Sequence, residues 1–310
     1  MRTSTGYFFM PKIYDKPAFS IDQQIEFLSK QGLEINNLEL AHSVLNAVSY
    51  YRFSGYLLPF KQPHKENGHR EFKDGATFEQ AWELYQFDRK LRLHVSDAIE
   101  RIEVAFRAAL VNVTSIKLNP FWYIKRDYFK LDHPYQIAMN NINDVVKSKN
   151  ELFIQHYFER YSKPEYPPIW MMAEALSFGT CSKLFNNIRE MPIKNEIAGH
   201  LGQHATVIES WIRTLTYTRN LCAHHSRLWN RWFVTPPVMP KHEPLRKHFY
   251  TTKNYRFHII AYVLQSLMKK IAPESQWKEQ LFNLFKEYKD YPGVPMGFQN
   301  TWEDDPFWEL

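Results

Sequence analysis

The sequence predicts an all-α protein, and three features of its 310 residues support that prediction. Glycine is scarce, with 10 residues, while phenylalanine, tyrosine and tryptophan make up 16% of the chain. Apolar residues recur at alternating steps of three and four, which is the period of an amphipathic helix. Segments with the strict alternation of a half-buried strand are almost absent. Together these features indicate packed, aromatic-rich helices.

Cysteine content and apolar runs exclude several classes of protein. Cys181 and Cys222 lie far apart, so neither a disulfide framework nor a cysteine-based zinc site is expected, and a reducing, cytoplasmic location fits best. No apolar run approaches the roughly 20 residues that span a bilayer, so no membrane partner is expected. The phosphate-binding motifs GxxxxGKS, GxxxxGKT and GxGxxG are absent, so we expect no nucleotide cofactor.

The charge of the chain favours a polyanionic partner. The formal net charge is +6, and the last ten residues carry −4, so the other 300 residues carry +10. An excess of this size favours binding to a polyanion if it is gathered on one face of the molecule.

Two helices and an aromatic segment begin the chain. Ser20 and Gln23 have the spacing of a capping box, and the apolar period after them predicts a helix. A second helix is predicted over residues 38–49. The next segment, 50–56, has the sequence YYRFSGY. We expect it either to pack as a short core helix or to stack on RNA bases with Arg52 on a phosphate.

A polar segment over residues 59–76 follows this aromatic segment. It contains two turn-forming dipeptides, Asn67-Gly68 and Asp74-Gly75, which predict a short hairpin or an exposed loop. The chain is therefore predicted to have three parts: a helical N-terminal module (1–76), a helical core (77–290) and an aromatic and acidic tail (291–310) that docks onto the core.

The longest predicted helix follows the polar segment. Thr77 and Gln80 have the spacing of a second capping box, and no glycine or proline interrupts the chain from there to about Lys117. Nine apolar residues form one continuous stripe along this helix, which needs several partner helices to cover it. Glu100 and Glu103 lie beside the stripe. We expect them to form a solvated face or, alternatively, to orient a base on a neighbouring helix.

Prolines and glycines divide the rest of the core into shorter helices. They are predicted near residues 135–148, 150–161, 169–177, 180–190, 192–200, 206–229, 253–271 and 273–289.

The most distinctive stretch is residues 217–232, with the sequence YTRNLCAHHSRLWNRW. It contains no acidic residue, and none occurs anywhere between Glu209 and Glu243, so the stretch is suited to binding phosphate. Within it, Arg219 and His224 are separated by four residues. Arginine binds two phosphate oxygens at once, and histidine transfers protons near neutral pH.

Asn220 lies four residues before His224, so its amide can orient the imidazole ring or donate to a phosphate oxygen. On an ideal helix, however, Arg219 and His224 are about 140° apart, and Arg219 falls near the apolar stripe of the helix. A catalytic site therefore requires a long reach by Arg219, a distorted helix, or a second copy of the chain.

Other interpretations of these residues remain open at this point. An arginine and a histidine at this spacing also occur by chance in structural helices. Cys222, His224 and His225 could ligate zinc, but their spacing is not typical of zinc sites and no carboxylate lies nearby, so no metal is expected. RNA binding without cleavage uses the same residue types.

Six segments occur in the same order as in the Abi-like (AbiD/AbiF) abortive infection proteins of bacteria, which the chain resembles over roughly residues 15–290. They are 50–56 (YYRFSGY), 87–92 (FDRKLR), 98–104 (AIERIEV), 168–170 (PIW), 176–180 (LSFGT) and 219–225 (RNLCAHH).

The resemblance implies membership of the HEPN superfamily of helical bundles. In these proteins an Arg-x4–6-His motif forms a metal-independent ribonuclease site, commonly where two units face each other. Family members act in phage defence, and some work with a small non-coding RNA. By this resemblance Arg219 and His224 are the active pair, and Asn220 occupies the polar position that follows the arginine.

We therefore expect an all-α, HEPN-type bundle with a helical N-terminal extension and a short polar hairpin or loop. It is expected to be a homodimeric, metal-independent ribonuclease in phage defence, with catalytic residues Arg219, Asn220 and His224. The alternatives are an RNA-binding module without cleavage, and a protein that inhibits a phage or host factor. Further contacts with RNA are expected from His225, Arg227, Arg231 and Arg52.

Overall fold

The computed structural model describes residues 17–63, 71–240, 255–298 and 302–308. These residues form twelve α-helices and no β-strand, which confirms the all-α prediction. No helix in the described ranges is long and apolar enough to cross a bilayer. The helices are α1 (Ile21–Lys30), α2 (Leu38–Val48), α3 (Tyr50–Leu57), α4 (Phe78–Lys117), α5 (Asp132–Ser148), α6 (Leu152–Arg160), α7 (Ile169–Ala175), α8 (Phe178–Asn187), α9 (Met191–His200), α10 (Ala205–Ala223), α11 (Phe257–Ile271) and α12 (Trp277–Glu287).

The chain divides into two compact units, Met1–Gln86 and Phe87–Leu310, and the division falls inside α4. In the first unit both predicted capping boxes are present. Ser20 and Gln23 exchange hydrogen bonds between side chain and backbone at the start of α1. Thr77 and Gln80 do the same before α4. Each box satisfies backbone N–H groups that the first turn of a helix leaves unpaired.

The aromatic segment forms α3, which has a buried and an exposed side. Phe53 and Tyr56 are buried, and the ring centroid of Phe53 is 4.7 Å from that of Phe78. Arg52 is exposed on the other side of the helix. Core packing therefore accounts for the buried aromatic residues, and contact of Arg52 with RNA stays a prediction.

The polar segment before α4 contains one antiparallel bridge, between Lys61 and Phe72. The predicted turn at Asp74-Gly75 is present, and Gly75 has a φ of 71°, a left-handed conformation that glycine adopts at little cost. The other predicted turn, Asn67-Gly68, lies outside the described residues.

Helix α4 carries a long apolar stripe, which lies in the second unit except for Leu84. All nine residues of its predicted stripe are buried along the helix. Phe106 packs edge-on against Phe178 and Phe185 of α8. Helix α8 also packs against α5 and α10, and α9 packs against α10. The partner helices that the long stripe requires are thus present.

The main difference from the prediction concerns the helix that carries the distinctive stretch. The prediction continued this helix to Trp229, but α10 ends at Ala223. His224 is therefore the C-cap, and His225, Arg227 and Arg231 lie on the segment that follows the helix. The remaining predicted helices agree with the observed ones to within a few residues where the structure describes them.

Local hydrogen bonds explain why α10 ends where it does. His225 N donates to Cys222 O and Ser226 N donates to Leu221 O, which is the pattern of a Schellman motif. His225 has a φ of 55°, a left-handed position that glycine usually occupies. Because no glycine marks this position, the sequence carried no ordinary stop signal.

The described part of the tail packs against α11 and α12, as expected from its aromatic residues. Trp302, Phe307 and Trp308 are buried. Lys269 of α11 and Lys278 of α12 donate hydrogen bonds to carbonyl groups of the tail at 2.6 and 3.0 Å. The described residues of the tail thus pack within the second unit.

Candidate functional site

The second unit contains a groove of about 530 Å³ between α4 and the C-terminal end of α10. Helix α4 supplies one wall, and the end of α10 with the residue after its cap supplies the other. The α4 wall consists of Arg89, Arg92, Leu93, Ser96, Glu100 and Glu103, and the α10 wall consists of Arg219, Cys222, Ala223 and His225.

Helical spacing explains the α4 wall. Its six residues follow one another at steps of one, three or four, so they lie on one side of the helix. This side borders the buried apolar stripe. Leu93 is exposed in the groove, so the wall combines an apolar surface with charged groups.

A buried ion pair fixes Arg92 in the α4 wall. Its guanidinium donates a hydrogen bond to Asp88, which is completely buried one turn earlier on the same helix. The other oxygen of Asp88 accepts hydrogen bonds from the backbone N–H groups of Leu228 and Trp229, at 3.0 and 2.7 Å. Asp88 therefore holds both the α4 wall and the segment that follows α10.

A second ion pair fixes Glu103. Arg107 donates hydrogen bonds to the Glu103 carboxylate and to the carbonyl oxygens of Ala173 and Leu176 at the C-terminal end of α7. A guanidinium at this position satisfies carbonyl groups that the end of a helix leaves unpaired. Glu103 is thus anchored in the structure and has a cationic partner. The expectation that Glu100 and Glu103 form a solvated face holds only for Glu100, which is exposed.

Arg219 is exposed at the edge of the groove. Its side chain makes no hydrogen bond or ion pair with any residue that the structure describes. The ideal-helix expectation placed this residue near the apolar stripe of α10. The stripe is buried, including Cys222 three residues later, whereas Arg219 itself is exposed. The Arg219 guanidinium is therefore accessible to an anion in the groove.

The structure does not bring the three predicted catalytic residues into one groove. Arg219 lines it, whereas Asn220 and His224 are exposed outside it, and His225 lines it instead. At about 100° per residue, Asn220 lies about 60° around the α10 axis from Tyr217. Arg219 lies about 160° from Tyr217 in the same direction, so Asn220 lies between the two around the helix. The exposed last turn of α10 therefore connects the groove with the surface near Tyr217.

The segment after α10 runs back along that helix. Thr214 Oγ1 donates to Thr235 O at 3.0 Å, and Ser210 Oγ accepts from Val238 N at 2.8 Å. Arg231 donates to the hydroxyl of Tyr217 at 3.2 Å. The predicted RNA-positioning residue Arg231 therefore lies beside α10, on the Tyr217 side.

Sequence reasoning missed Arg89 and Arg92 as groove residues and Asp88 as an anchor. Their segment, 87–92, was one of the six that carried the family resemblance, so a signal was present. The resemblance did not show which polar residues of the segment 87–92 are buried and which face a groove.

The zinc alternative involves Cys222, His224 and His225. Within the described ranges, no group of three histidine, cysteine, aspartate or glutamate residues is placed to hold a metal ion. Burial raises the pKa of the Cys222 thiol to about 11, so this residue is protonated at neutral pH. Zinc binds the thiolate form of cysteine. Cys222, His224 and His225 are not arranged as such a group in the part of the chain that the structure describes.

Comparison with known proteins identifies one family. A family model described as Abi-like protein matches residues 43–230, which is more than half of the chain and includes every residue of the groove. No curated protein and no solved structure matches the chain.

Proposed function

Since the chain belongs to the Abi-like protein family, we propose that it acts in bacterial abortive-infection phage defence as a metal-independent, HEPN-type ribonuclease. The observation that supports this proposal is the exposed Arg219 in a groove with two further arginines, Arg89 and Arg92. Guanidinium groups bind phosphate oxygens in pairs, and RNA presents a phosphate at every nucleotide.

The proposed reaction is transesterification. A base removes the proton of a 2′-hydroxyl group, and the 2′-oxygen attacks the adjacent phosphorus. The bond from phosphorus to the 5′-oxygen breaks, and an acid protonates the leaving 5′-oxygen. The products are a 2′,3′-cyclic phosphate and a 5′-hydroxyl, with no net gain or loss of protons.

Each role has a candidate residue at the end of α10. Arg219 stabilises the charge that develops on the phosphoryl oxygens. His224 and His225 supply two imidazoles, which are the side chains best suited to the acid and base steps near neutral pH. Asn220 donates to a phosphate oxygen or orients His224.

A homodimer accounts for the position of His224 outside the groove. If two chains face each other, His224 of one chain reaches the groove of the other, and a composite site forms. An inactive Arg219→Ala chain mixed with an inactive His224→Ala chain then regains about a quarter of wild-type activity. Random pairing makes half of the dimers mixed, and each mixed dimer has one intact site. No recovery after mixing means that the site belongs to one chain.

The decisive experiment incubates the purified protein with single-stranded RNA in excess EDTA. We expect cleavage, products that end in a 2′,3′-cyclic phosphate, and cleavage that is about 10²- to 10³-fold slower in Arg219→Ala. Strict dependence on a divalent ion overturns the mechanism. A small non-coding RNA is a further proposed partner, and sequencing of the RNA that copurifies with the protein tests it.

The separation of Arg219 from His224 favours one other function, RNA binding without cleavage. A binding groove needs cations but no acid and base on the same phosphate. In that case Arg219→Ala lowers affinity for RNA and makes its salt dependence shallower. A ribonuclease that loses Arg219 mainly loses turnover.

A further inference from the structure

Trp232, on the segment after α10, and Tyr255, two residues before α11, form an exposed pair of stacked aromatic residues. The ring centroids of Trp232 and Tyr255 are 4.5 Å apart, and the ring planes differ by 7°. The two residues are 50% and 39% exposed. Most tryptophans of this chain are buried, so an exposed, stacked tryptophan needs an explanation.

Several contacts hold this pair in place. The Arg256 guanidinium lies 5.4 Å from the Trp232 ring centroid and donates to the backbone and side-chain oxygens of Asn230, at 2.9 and 2.7 Å. Phe233 N donates to Tyr255 O at 2.7 Å, which ties the two chain segments together. The pair is therefore ordered in advance, and binding a planar ligand costs little conformational entropy.

The pair lies close to the proposed catalytic residues. Arg231 precedes Trp232 in the chain and bonds to Tyr217 of α10. Phe233 follows it and packs edge-on against the same tyrosine. Tyr217 is only two residues from Arg219, or about 3 Å along the helix axis, although it faces another side. The exposed last turn of α10 bridges the two sides.

The charge around the pair matches a polyanion. Residues 210–242 contain no aspartate or glutamate, and Arg231 and Arg256 flank the aromatic rings. Proteins that bind single-stranded RNA combine cations for the backbone with aromatic side chains on which bases stack. A protein partner would find an aromatic surface here, but it would not need an excess of positive charge.

We propose that Trp232 and Tyr255 form a stacking platform for an unpaired RNA base next to the cleavage groove. The strand would then cross the last turn of α10 from the groove to the platform, with Arg231 and Arg256 on its phosphates. This inference takes its substrate class from the proposed function, and it adds a requirement for a single strand at this position.

Binding measurements test the platform separately from cleavage. All variants carry Arg219→Ala so that the probe, a fluorescein-labelled unstructured oligoribonucleotide of about 12 nucleotides, stays intact. Trp232→Ala should raise its Kd about 5- to 150-fold, because a stacked base contributes binding energy in that range. Trp232→Phe keeps an aromatic ring and should raise the Kd of the same probe less than about threefold. Binding of a duplex RNA, whose bases are already paired, should not change.

Trp170→Ala is the matched control. Trp170 on α7 is 48% exposed, which is close to the exposure of Trp232, and it lies outside the groove and the platform. It should leave the Kd unchanged. Thermal unfolding of each variant shows whether a loss of binding reflects a loss of structure. If Trp232→Ala unfolds, Tyr255→Ala, which removes the other ring of the pair, takes its place and should raise the Kd of the single strand by more than Trp232→Phe does.

The outcomes separate this inference from the proposed function. Unchanged affinity in Trp232→Ala, or equal losses in Trp232→Ala and Trp170→Ala, overturns the platform even if Arg219-dependent cleavage is found. A change of oligomeric mass without a change in Kd overturns it as well, because the pair is then an interface between chains. A selective loss of single-strand binding supports the platform even if the protein does not cleave RNA.

Discussion

The two walls of the groove differ in how their charges are paired. On α4, Arg92 is paired with buried Asp88, and Glu103 is paired with Arg107. On α10, the Arg219 side chain is exposed and makes no hydrogen bond or ion pair with another described residue. A paired, buried charge is expensive to disturb, whereas an unpaired, exposed charge is free to bind a substrate. Substitution of the paired groove residues on α4 should therefore affect stability, whereas substitution of Arg219 on α10 should affect function.

The largest expected effect concerns Asp88. Asp88→Ala should lower the free energy of unfolding by about 3–5 kcal/mol, because it leaves Arg92 buried without its partner. The backbone N–H groups of Leu228 and Trp229 lose their acceptor as well. Urea denaturation measures the change, and Asp88→Asn, which keeps one oxygen acceptor, should cost less.

Asp97 provides the control for this prediction. It pairs with Arg101 on the same helix at the same spacing of four residues, but both side chains are nearly half-exposed. Asp97→Ala should therefore cost less than about 1 kcal/mol. Equal losses for the two variants would contradict the distinction between buried and exposed pairs on α4.

The next effect concerns Arg219. Arg219→Ala should slow RNA cleavage about 10²- to 10³-fold, the usual cost of removing a group that stabilises transition-state charge. Its free energy of unfolding should stay within about 0.5 kcal/mol of wild type, because the side chain is exposed. Arg213→Ala, at another exposed arginine of α10 outside the groove, should change neither quantity. If Arg219→Ala were strongly destabilised, Arg219 would contribute to stability, and the contrast between the two walls of the groove would be contradicted.

A smaller effect comes from His94 on α4. Burial lowers its pKa from 6.5 to about 4, and its ring stacks on Trp277. The folded protein therefore holds fewer protons on this residue than the unfolded chain does. Above pH 6.5 the neutral, buried imidazole makes its full contribution to the free energy of unfolding. As the pH falls towards 4, the free energy of unfolding should decrease by about 2–3 kcal/mol.

Denaturation at several pH values measures this loss. His94→Phe keeps a stacked ring without a titrating group, so its stability should fall less between pH 6.5 and 4. An identical pH dependence in His94→Phe and wild type would assign the acid loss to other groups.

The smallest effect concerns Arg227, a predicted RNA-positioning residue on the segment after α10. Arg227→Ala should make the slope of log K against log salt shallower by about 0.7, the value for one phosphate contact in a single strand. Lys147→Ala, at an exposed lysine of α5, is the control and should keep the wild-type slope. An unchanged slope in Arg227→Ala would remove this residue from the RNA surface.

Much of the fold could be predicted because the signals were local. The capping pairs Ser20–Gln23 and Thr77–Gln80 act across three residues, and they form as predicted. The α4 stripe is a repeat of the helical period, and every one of its nine residues is buried. The end of α10 was placed too late because a histidine, and not a glycine, takes the left-handed position after it.

The site could be predicted only in part, since a motif names residues but does not orient them. The sequence singled out Arg219, Asn220, His224 and His225, and the resemblance supplied a chemistry for them. It did not show that Arg219 and His225 line one groove while Asn220 and His224 lie outside it. That division depends on the Schellman end of α10 and on where α4 packs.

The sequence by itself determined the helical class, the long central helix and the cationic character of the stretch after Glu209. Residue periodicity, capping and charge are properties of short segments, so they can be inferred without a fold. Only the tertiary structure decided which charges are buried in pairs and which are exposed. Asp88 bonds to backbone groups 140 and 141 residues away, and Tyr255 stacks on Trp232 across a separate segment. Contacts of this kind form only when the chain is packed, because no local rule brings their partners together.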